Sequence, residues 1–476
     1  METIILKPDQ KALKINLSPQ YYGTFAEIGA GQEVVRHFFR SGGASGTIAK
    51  AMSAYDKDFS DAIYGKEVKN RYVCEPRLEK MLQHEYGLME ERLDRAKHPH
   101  KQFFAYANTI VTVNYQRTTE GHGWMGIKFQ HEEGAEPSQV TIHVRLHEVE
   151  AKQQQETVGV CGVNLIYGCF KLYKDPKQLI TSLYDHITRD QMELDMISMT
   201  GPAFEGVDNR LLSLFLVKSG MTDAVIFGAD GQNIMPADIL YKKNILTIRG
   251  SFRPVTKVNI DMIKNGYKLF SKENRVDPEN LQVLFEITLS NLKMDGDIDE
   301  QDFLDRADIL CSIGQTVLIS NYQEYYKLLE YFSRFTKKRM GLIMGVNNLL
   351  DVFNEKYYLH LKGGILEAFG ILFMQDLKIF LYPYKHEGKL LNSMNIPIHP
   401  RMRPLYNYLI QNGRIIDIED IDEGILDVFS RNVLKMIKKG EKGWEDQVPA
   451  YVDNIIKEKR LFGYKEASQK ALKEKA

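Results

Sequence analysis

Apolar and polar positions along this chain follow two different periods, and the change between them divides it. From residue 176 onward, short runs rich in β-branched and aromatic residues recur: MELDMISMT, DAVIFGA, ILTIRGSF, QVLFEITLS, TVLISN, MGLIMGV and LKIFLYP. Between most of them lie helical patterns such as VDNRLLSLFLVKSG, DEQDFLDRADILCSI and YQEYYKLLEYFSRFT. This rhythm predicts a mainly parallel sheet covered by helices. An open, doubly wound sheet and a closed eight-stranded barrel both accommodate it, and seven clear strands favour the open form or a pair of small α/β units.

Ahead of this region, FFAYANTIVTVNYQ, WMGIKFQ and SQVTIHVRLHEV are separated by glycine- and glutamate-rich turns, which predicts an antiparallel meander. Residues 75–97 read as a charged amphipathic helix stopped by His98-Pro99-His100. EVVRHFFR and GTIAKAMSAY read as helices, each following a glycine cluster. The alternative is one long helix over TFAEIGAGQEVVRHFF, each glycine costing about 1 kcal/mol against alanine. Residues 1–22 are predicted to be a short extended lead-in broken by Pro8 and Pro19. The expected class is therefore α/β. An N-terminal α+β domain with antiparallel strands spans 1–150, and a mainly parallel α/β domain spans 151–384. A helical C-terminal region, 385–476, ends in a loosely held tail.

With 476 residues the chain can form two or three domains with sizeable cores. Its 62 lysines and arginines nearly cancel 63 aspartates and glutamates, for a net charge of -1. That balance argues against general nucleic-acid binding and leaves room for a local basic patch. Cys74, Cys161, Cys169 and Cys311 show no CxxC spacing, so buried free thiols are expected in place of a metal site. No window approaches the roughly 18 continuous apolar residues of a membrane span, and the first residues lack the apolar core of a secretory signal. The expectation is a cytoplasmic protein without a membrane partner.

The densest chemistry lies between Gly23 and Gly65. In SGGASGTIAK, backbone amides from Gly43 to Thr47 at the start of a helix could cradle a phosphate. Ser45 or Thr47 would donate and Lys50 would add a point charge, with Gly46 part of the cradle. The lysine stands too far beyond the last glycine for a Walker loop. The competing reading is a linker or a helix-packing patch. Glu27, Glu33 and Asp56 are the candidate catalytic carboxylates, able to hold a metal ion such as magnesium or to move a proton. Solvated helix carboxylates are the plain alternative.

In the second half Arg249, Arg253, Asn291, Asn321, Asn347 and Asn348 fall at predicted strand-to-helix junctions. Parallel α/β sheets bind ligands outside those strand ends, and an arginine fork suits phosphate or carboxylate. Asparagine is also an ordinary helix cap. In TIHVRLHE, strand alternation puts His143, Arg145 and His147 on one face, where they could meet an acidic ligand or simply face solvent.

Over the whole chain, FAEIGAGQEVVRHFF, GGASGTIAKAMSAYD, RGSFRPVT, DIDEQDFLDRADIL and MGVNNLLDVF resemble a bacterial protein family of similar length and unassigned activity. Its members carry the names nicotinate-nucleotide adenylyltransferase and TonB-dependent receptor. The first name implies an (H/T)xGH signature in a strand-to-helix turn. Thr119-Glu120-Gly121-His122 has those letters, but it precedes a strand in the antiparallel region. The second implies a barrel of amphipathic strands, which the pattern does not show. Two functional expectations follow. One is a protein, in the enzymatic case a transferase, that takes a phosphorylated metabolite or nucleotide with magnesium. The other is a non-catalytic regulatory or scaffolding protein whose glycine segment packs a homo-oligomer.

Overall fold

The computed structural model describes residues 5–465 apart from 69, 94, 295 and 375, so the tail beyond 465 lies outside the described residues. The chain forms two compact units, residues 1–222 and 223–476. The boundary expected near 150 falls inside the first unit.

The first unit is built on β1 (Tyr21–Ile28), β2 (Ile48–Met52), β3 (Gln102–Val111), β4 (Gly121–Phe129), β5 (Ser138–Leu146) and β6 (Met192–Thr200). They form one sheet in the order β2-β1-β3-β4-β5-β6. The first three run parallel, and β3 to β6 form an antiparallel meander. Among the described residues seven helices accompany it: α1 (Pro8–Asn16), α2 (Glu33–Ser41), α3 (Lys57–Tyr64), α4 (Glu75–Arg92), α5 (Ala151–Lys171), α6 (Pro176–Ser182) and α7 (Asn209–Lys218). Phe25, Tyr106, Ile127, Ile142 and Ile197 point from alternate strand positions into a core closed by α2 and α5. On the opposite face α4 lays Leu78 and Leu82 against Gly126, where a Cβ would stand 2.9 Å from Leu82.

Three expectations are corrected here. Residues 8–16 are helical because Pro8 sits at the first helical position, where its missing N–H is no loss. TFAEI belongs to β1, which excludes a single long helix. GTIAKAM after the second glycine cluster is mostly the edge strand β2, held by parallel pairing with β1 that its helix-compatible composition did not announce. In addition, MELDMISMT is the sixth strand of this antiparallel ladder and not the start of the parallel region.

The second unit holds β7 (Ala224–Phe227), β8 (Asn233–Ile234), β9 (Asn244–Arg249), β10 (Leu281–Thr288), β13 (Val317–Ser320), β14 (Met340–Gly345), β15 (Lys378–Tyr382) and β18 (Ile415–Asp417) in one open sheet. Two small antiparallel ribbons stand apart, β11 (Lys293–Met294) with β12 (Asp297–Ile298), and β16 (Tyr384–His386) with β17 (Lys389–Leu391). The main sheet runs β18-β15-β14-β9-β10-β13-β7-β8. All pairs from β18 to β13 are parallel, while β7 and β8 close the edge antiparallel.

Helices lie on both faces. On one are α8 (Pro236–Leu240), α12 (Tyr325–Ser333), α13 (Val346–Val352), α14 (Gly364–Leu372) and α15 (Arg403–Gln411), packed on Ile226, Ile245, Leu284, Leu318 and Leu342. On the other, α9 (Lys257–Phe270) meets Ile343 and Leu246, and α11 (Glu300–Ser312) stacks Phe303 near Phe227. The short α10 (Leu289–Leu292) follows β10, and α16 (Ser430–Lys439) and α17 (Val452–Lys459) end the described chain. The open, doubly wound form is thus the one adopted, with helices at the C-terminus.

Candidate functional site

Sheet order locates the crevice of the second unit. From β9 the chain proceeds outward through β10 and β13, then returns to pair β14 with the other side of β9 and continues through β15 and β18. Such a reversal separates the crossover connections on either side and leaves a crevice at the carboxyl ends of the strands. A cavity of about 290 Å³ opens there. Arg249 enters it from the end of β9, and Thr288, Ser290 and Asn291 from the end of β10. Gln323, Glu324 and Tyr325 follow β13, Asn348, Asp351 and Val352 lie on α13 after β14, and Tyr357 and Tyr358 close the wall.

The charges in this cavity are largely matched. Arg249 donates from Nε to Glu286 Oε2 at 2.8 Å and from Nη2 to Oε1 at 2.9 Å. Its Nη1 donates to the Gln323 carbonyl at 2.7 Å, and its guanidinium lies 4.1 Å from the centre of the Tyr325 ring. Glu286 is fully buried and also accepts from Ser320 Oγ at 2.7 Å. A buried carboxylate requires such a partner, so the charge of Arg249 is already balanced. Lys327 stands 2.9 Å from Glu324. Asp351 remains at the exposed mouth with no cation in ion-pair distance among the described residues. Asn348 Nδ2 donates to Tyr325 Oη at 3.0 Å, and burial pushes the Tyr325 hydroxyl up, so it stays protonated and able to donate. Three tyrosines, several hydroxyls and amides, and one surplus carboxylate suit a ring with hydroxyl groups better than a phosphate.

The expected residues are distributed differently. Asn321 and Asn347 are exposed and do not line the cavity, whereas Asn348, one position on, does. Arg253 is engaged by Asp302, which also binds Arg306. Among Gly43 to Lys50, the amides of Gly46 and Thr47 are taken by the carbonyls of Gly43 and Ala44 in a single 3-10 turn. A strand follows instead of a helix, so no helix terminus points at the turn. Ser45 is exposed, Thr47 is buried with its hydroxyl on the Asn16 carbonyl at 3.2 Å, and Lys50 pairs with the buried Glu85 at 2.5 Å.

Glu27 is fully buried and accepts from the amides of Val34 at 3.1 Å and Val35 at 2.9 Å, capping α2 from the end of β1. Asn108 Nδ2 donates to it at 3.2 Å. Burial raises its pKa to about 7, against these donors. Glu33 pairs with Arg36 at 3.0 Å, and Asp56 caps α3 by accepting from Phe59 N at 2.8 Å. No group of three or more His, Cys, Asp or Glu among the described residues is arranged to hold a metal ion.

The row on β5 forms a network that alternation hinted at. His143 Nδ1 lies 2.5 Å from Asp195 Oδ1 and its Nε2 lies 3.2 Å from His122 Nδ1. Arg145 Nε donates to Asp195 Oδ2 at 3.0 Å, and Trp124 packs 5.0 Å from the His143 ring. Burial, then the adjacent His143 and Arg145, push the His122 pKa down to about 4. Burial would raise Asp195, but His143 and Arg145 outweigh it and hold the carboxyl low. His122 and Gly121 begin β4 inside the antiparallel ladder, so Thr119 to His122 lack the strand-to-helix turn of a nucleotidyltransferase signature. The cavity residues Tyr357, Tyr358 and Asp351 went unnoticed in the sequence because they lie beyond the strand ends on helical turns that only packing brings back.

No protein-family model matches the chain, and no curated protein matches it. Among solved structures it is similar to the competence/damage inducible protein CihA from Agrobacterium tumefaciens, at 12% identity, over 36% of this chain and 99% of that one, with a TM-score of 0.26. The competence-damaged protein (CinA) superfamily protein from Enterobacter cloacae gives 11% identity, 36% and 96% coverage, and a TM-score of 0.26. At these values the likeness carries no statement about activity. No helix among the described residues is long and apolar enough to cross a membrane.

Proposed function

We propose that the second unit binds a nucleoside-type ligand, or the nucleoside part of a nucleotide, in the crevice at the carboxyl ends of β9, β10, β13 and β14. The observation that carries this reading is the placement of the cavity of about 290 Å³ beside the reversal of strand order, with four successive strand ends contributing polar groups to it. Tyr357 offers the ring face opposite Lys356, whose Nζ stands 4.7 Å from the ring centre; Asn348 and Tyr325 offer oriented hydrogen-bonding groups, and Asp351 accepts from hydroxyls. Arg249 acts as the buried partner of Glu286 and shapes the floor. The turn after β9, RGSFRPVT, has no glycine-rich fingerprint, and Thr256 and Asn259 cap α9 reciprocally. This favours recognition of the ring and hydroxyls over a cradle for pyrophosphate.

Calorimetric titration of the full chain with nucleosides, their 5′-monophosphates and free sugars tests the proposal. Nucleosides are expected to bind at least as well as the monophosphates. Asn348→Ala and Asp351→Asn are each expected to weaken binding about tenfold, about 1.4 kcal/mol. Binding confined to phosphorylated ligands, or unaltered in both variants, would overturn it.

A further inference from the structure

A second concavity lies at the other end of the same strands. It measures about 480 Å³ and is lined by Tyr241, Lys242 and the run Ser333 to Lys338. These residues form two turns, one entering β9 and one entering β14, so they sit at the amino ends of strands whose carboxyl ends form the crevice. The six residues of β9 separate the two places by roughly 20 Å at about 3.3 Å per residue. Four cations line this cavity, Lys242, Arg334, Lys337 and Lys338, and no carboxylate does. Among the described residues none of the four is within ion-pair distance of a carboxylate, although Lys338 adds to the hydrogen bond from Asn280 in holding nearby Asp277 low, and Lys337 donates to the Ser333 carbonyl at 3.2 Å. The next residue, Arg339, is paired with Asp376 and with Glu273 at 2.8 Å. In a chain of net charge -1 this is a marked local excess.

The frame behind the cations is fixed. Lys242 N donates to the Phe335 carbonyl at 3.1 Å, and buried Thr336 donates to the Lys243 carbonyl at 2.7 Å. Fully buried Asn244 donates to the Arg339 carbonyl at 3.0 Å, tying the two turns together. Lys242 itself has φ 56°, a left-handed conformation that a glycine would adopt more easily. The turn therefore holds a charged side chain at the rim in a conformation that disfavours it, and such strain gathers at ligand sites. The floor is aromatic: Phe335 is 8% exposed, and Tyr241 leaves 49% of its surface open, with Lys242 Nζ 5.0 Å from the centre of its ring, so that the cation and the ring present themselves together. Like charges gathered in one concavity raise the local potential and favour an incoming anion.

We infer that this cavity is an anion-binding site for a small phosphate ester that carries an apolar ring. The phosphate is neutralised by Lys242, Lys337 and Lys338, and the ring lies against Phe335 and Tyr241. The site is separate from the crevice and does not depend on the ligand bound there.

Phenyl phosphate is the probe, with inorganic phosphate and phenol as its two halves, titrated into the full chain at physiological salt. Phenyl phosphate is expected to bind at least tenfold more tightly than inorganic phosphate, and phenol not to bind. The pair Lys337→Gln and Lys338→Gln is expected to weaken phenyl phosphate binding about tenfold while leaving the melting temperature unchanged, because both side chains are exposed. Asn348→Ala leaves this binding intact, so failure here is distinguishable from failure of the crevice reading. Arg334→Gln provides a second variant should the pair fold poorly. The inference is overturned if phenyl phosphate binds no better than inorganic phosphate, or if the variants retain full affinity. It is also overturned if heparin binds while phenyl phosphate does not, which would mark a diffuse polyanion surface.

Discussion

Glu27 carries a carboxylate into the core of the first unit because the amides at the start of α2 need an acceptor where water does not reach. Burial raises its pKa from 4.5 to about 7. Between those values the folded chain binds a proton that the unfolded chain has released, so this group lowers stability as pH rises through that window. His122 acts with the opposite sign. Its pKa falls from 6.5 to about 4, so the unfolded chain holds the extra proton and stability drops as pH falls through 6.5 towards 4. Melting temperature plotted against pH is therefore expected to decline on both sides of a slightly acid optimum. Glu27→Gln should flatten the alkaline side and His122→Phe the acid side. Unchanged slopes in both variants would refute these assignments.

Single positions also decide how elements meet. The turn from β1 into α2 passes through Gly29, with φ 99°, and a Cβ there would lie 1.7 Å from the Ile110 carbonyl oxygen. Gly29→Ala is expected to lower stability by about 3 kcal/mol, through backbone strain added to a clash that β3 cannot yield to. The urea midpoint of the full chain would measure it, and a loss below about 0.5 kcal/mol would contradict the geometry. Helix α5 comes close to α2 at Gly162, where a Cβ would stand 2.3 Å from Val34 and 2.6 Å from the Tyr106 hydroxyl. Of the N-terminal glycines, Gly29 thus serves both packing and turning, whereas Gly42 at φ 81° serves only a turn, with open space where a Cβ would stand. The expectation of a phosphate cradle rested on a helix after Gly46, and the edge strand β2 stands there instead.

On the scale of the whole chain, each unit has its own sheet with helices on both faces and a continuous buried core. Cores of this size satisfy the burial that independent folding requires. Residues 1–222 and 223–476, produced separately, are each expected to give native-like circular dichroism and a cooperative thermal transition. If one fragment lacked a transition, the division at residue 222 would not mark an autonomous boundary. The crevice and the basic cavity both belong to the second unit, so the ligand predictions should transfer to that fragment unchanged.

The strand–helix rhythm of residues 224–382 and the antiparallel meander of β3 to β5 are legible in the order of residues, because long runs of period two and period 3.6 reflect local geometry. The strand ends near Arg249 and Asn348 are marked there too, by polar residues that follow apolar runs. Tertiary structure decided the rest. Whether β2 is a strand, and whether β6 joins the meander, depends on partners far away in the chain. Whether Arg249 is a free cation depends on Glu286, which lies on the neighbouring strand and is silent in any local pattern. The basic cavity arises because turns some 90 residues apart enter neighbouring strands. Periodicity records which face an element buries, whereas the pairing of charges is set by neighbours that the linear sequence does not specify.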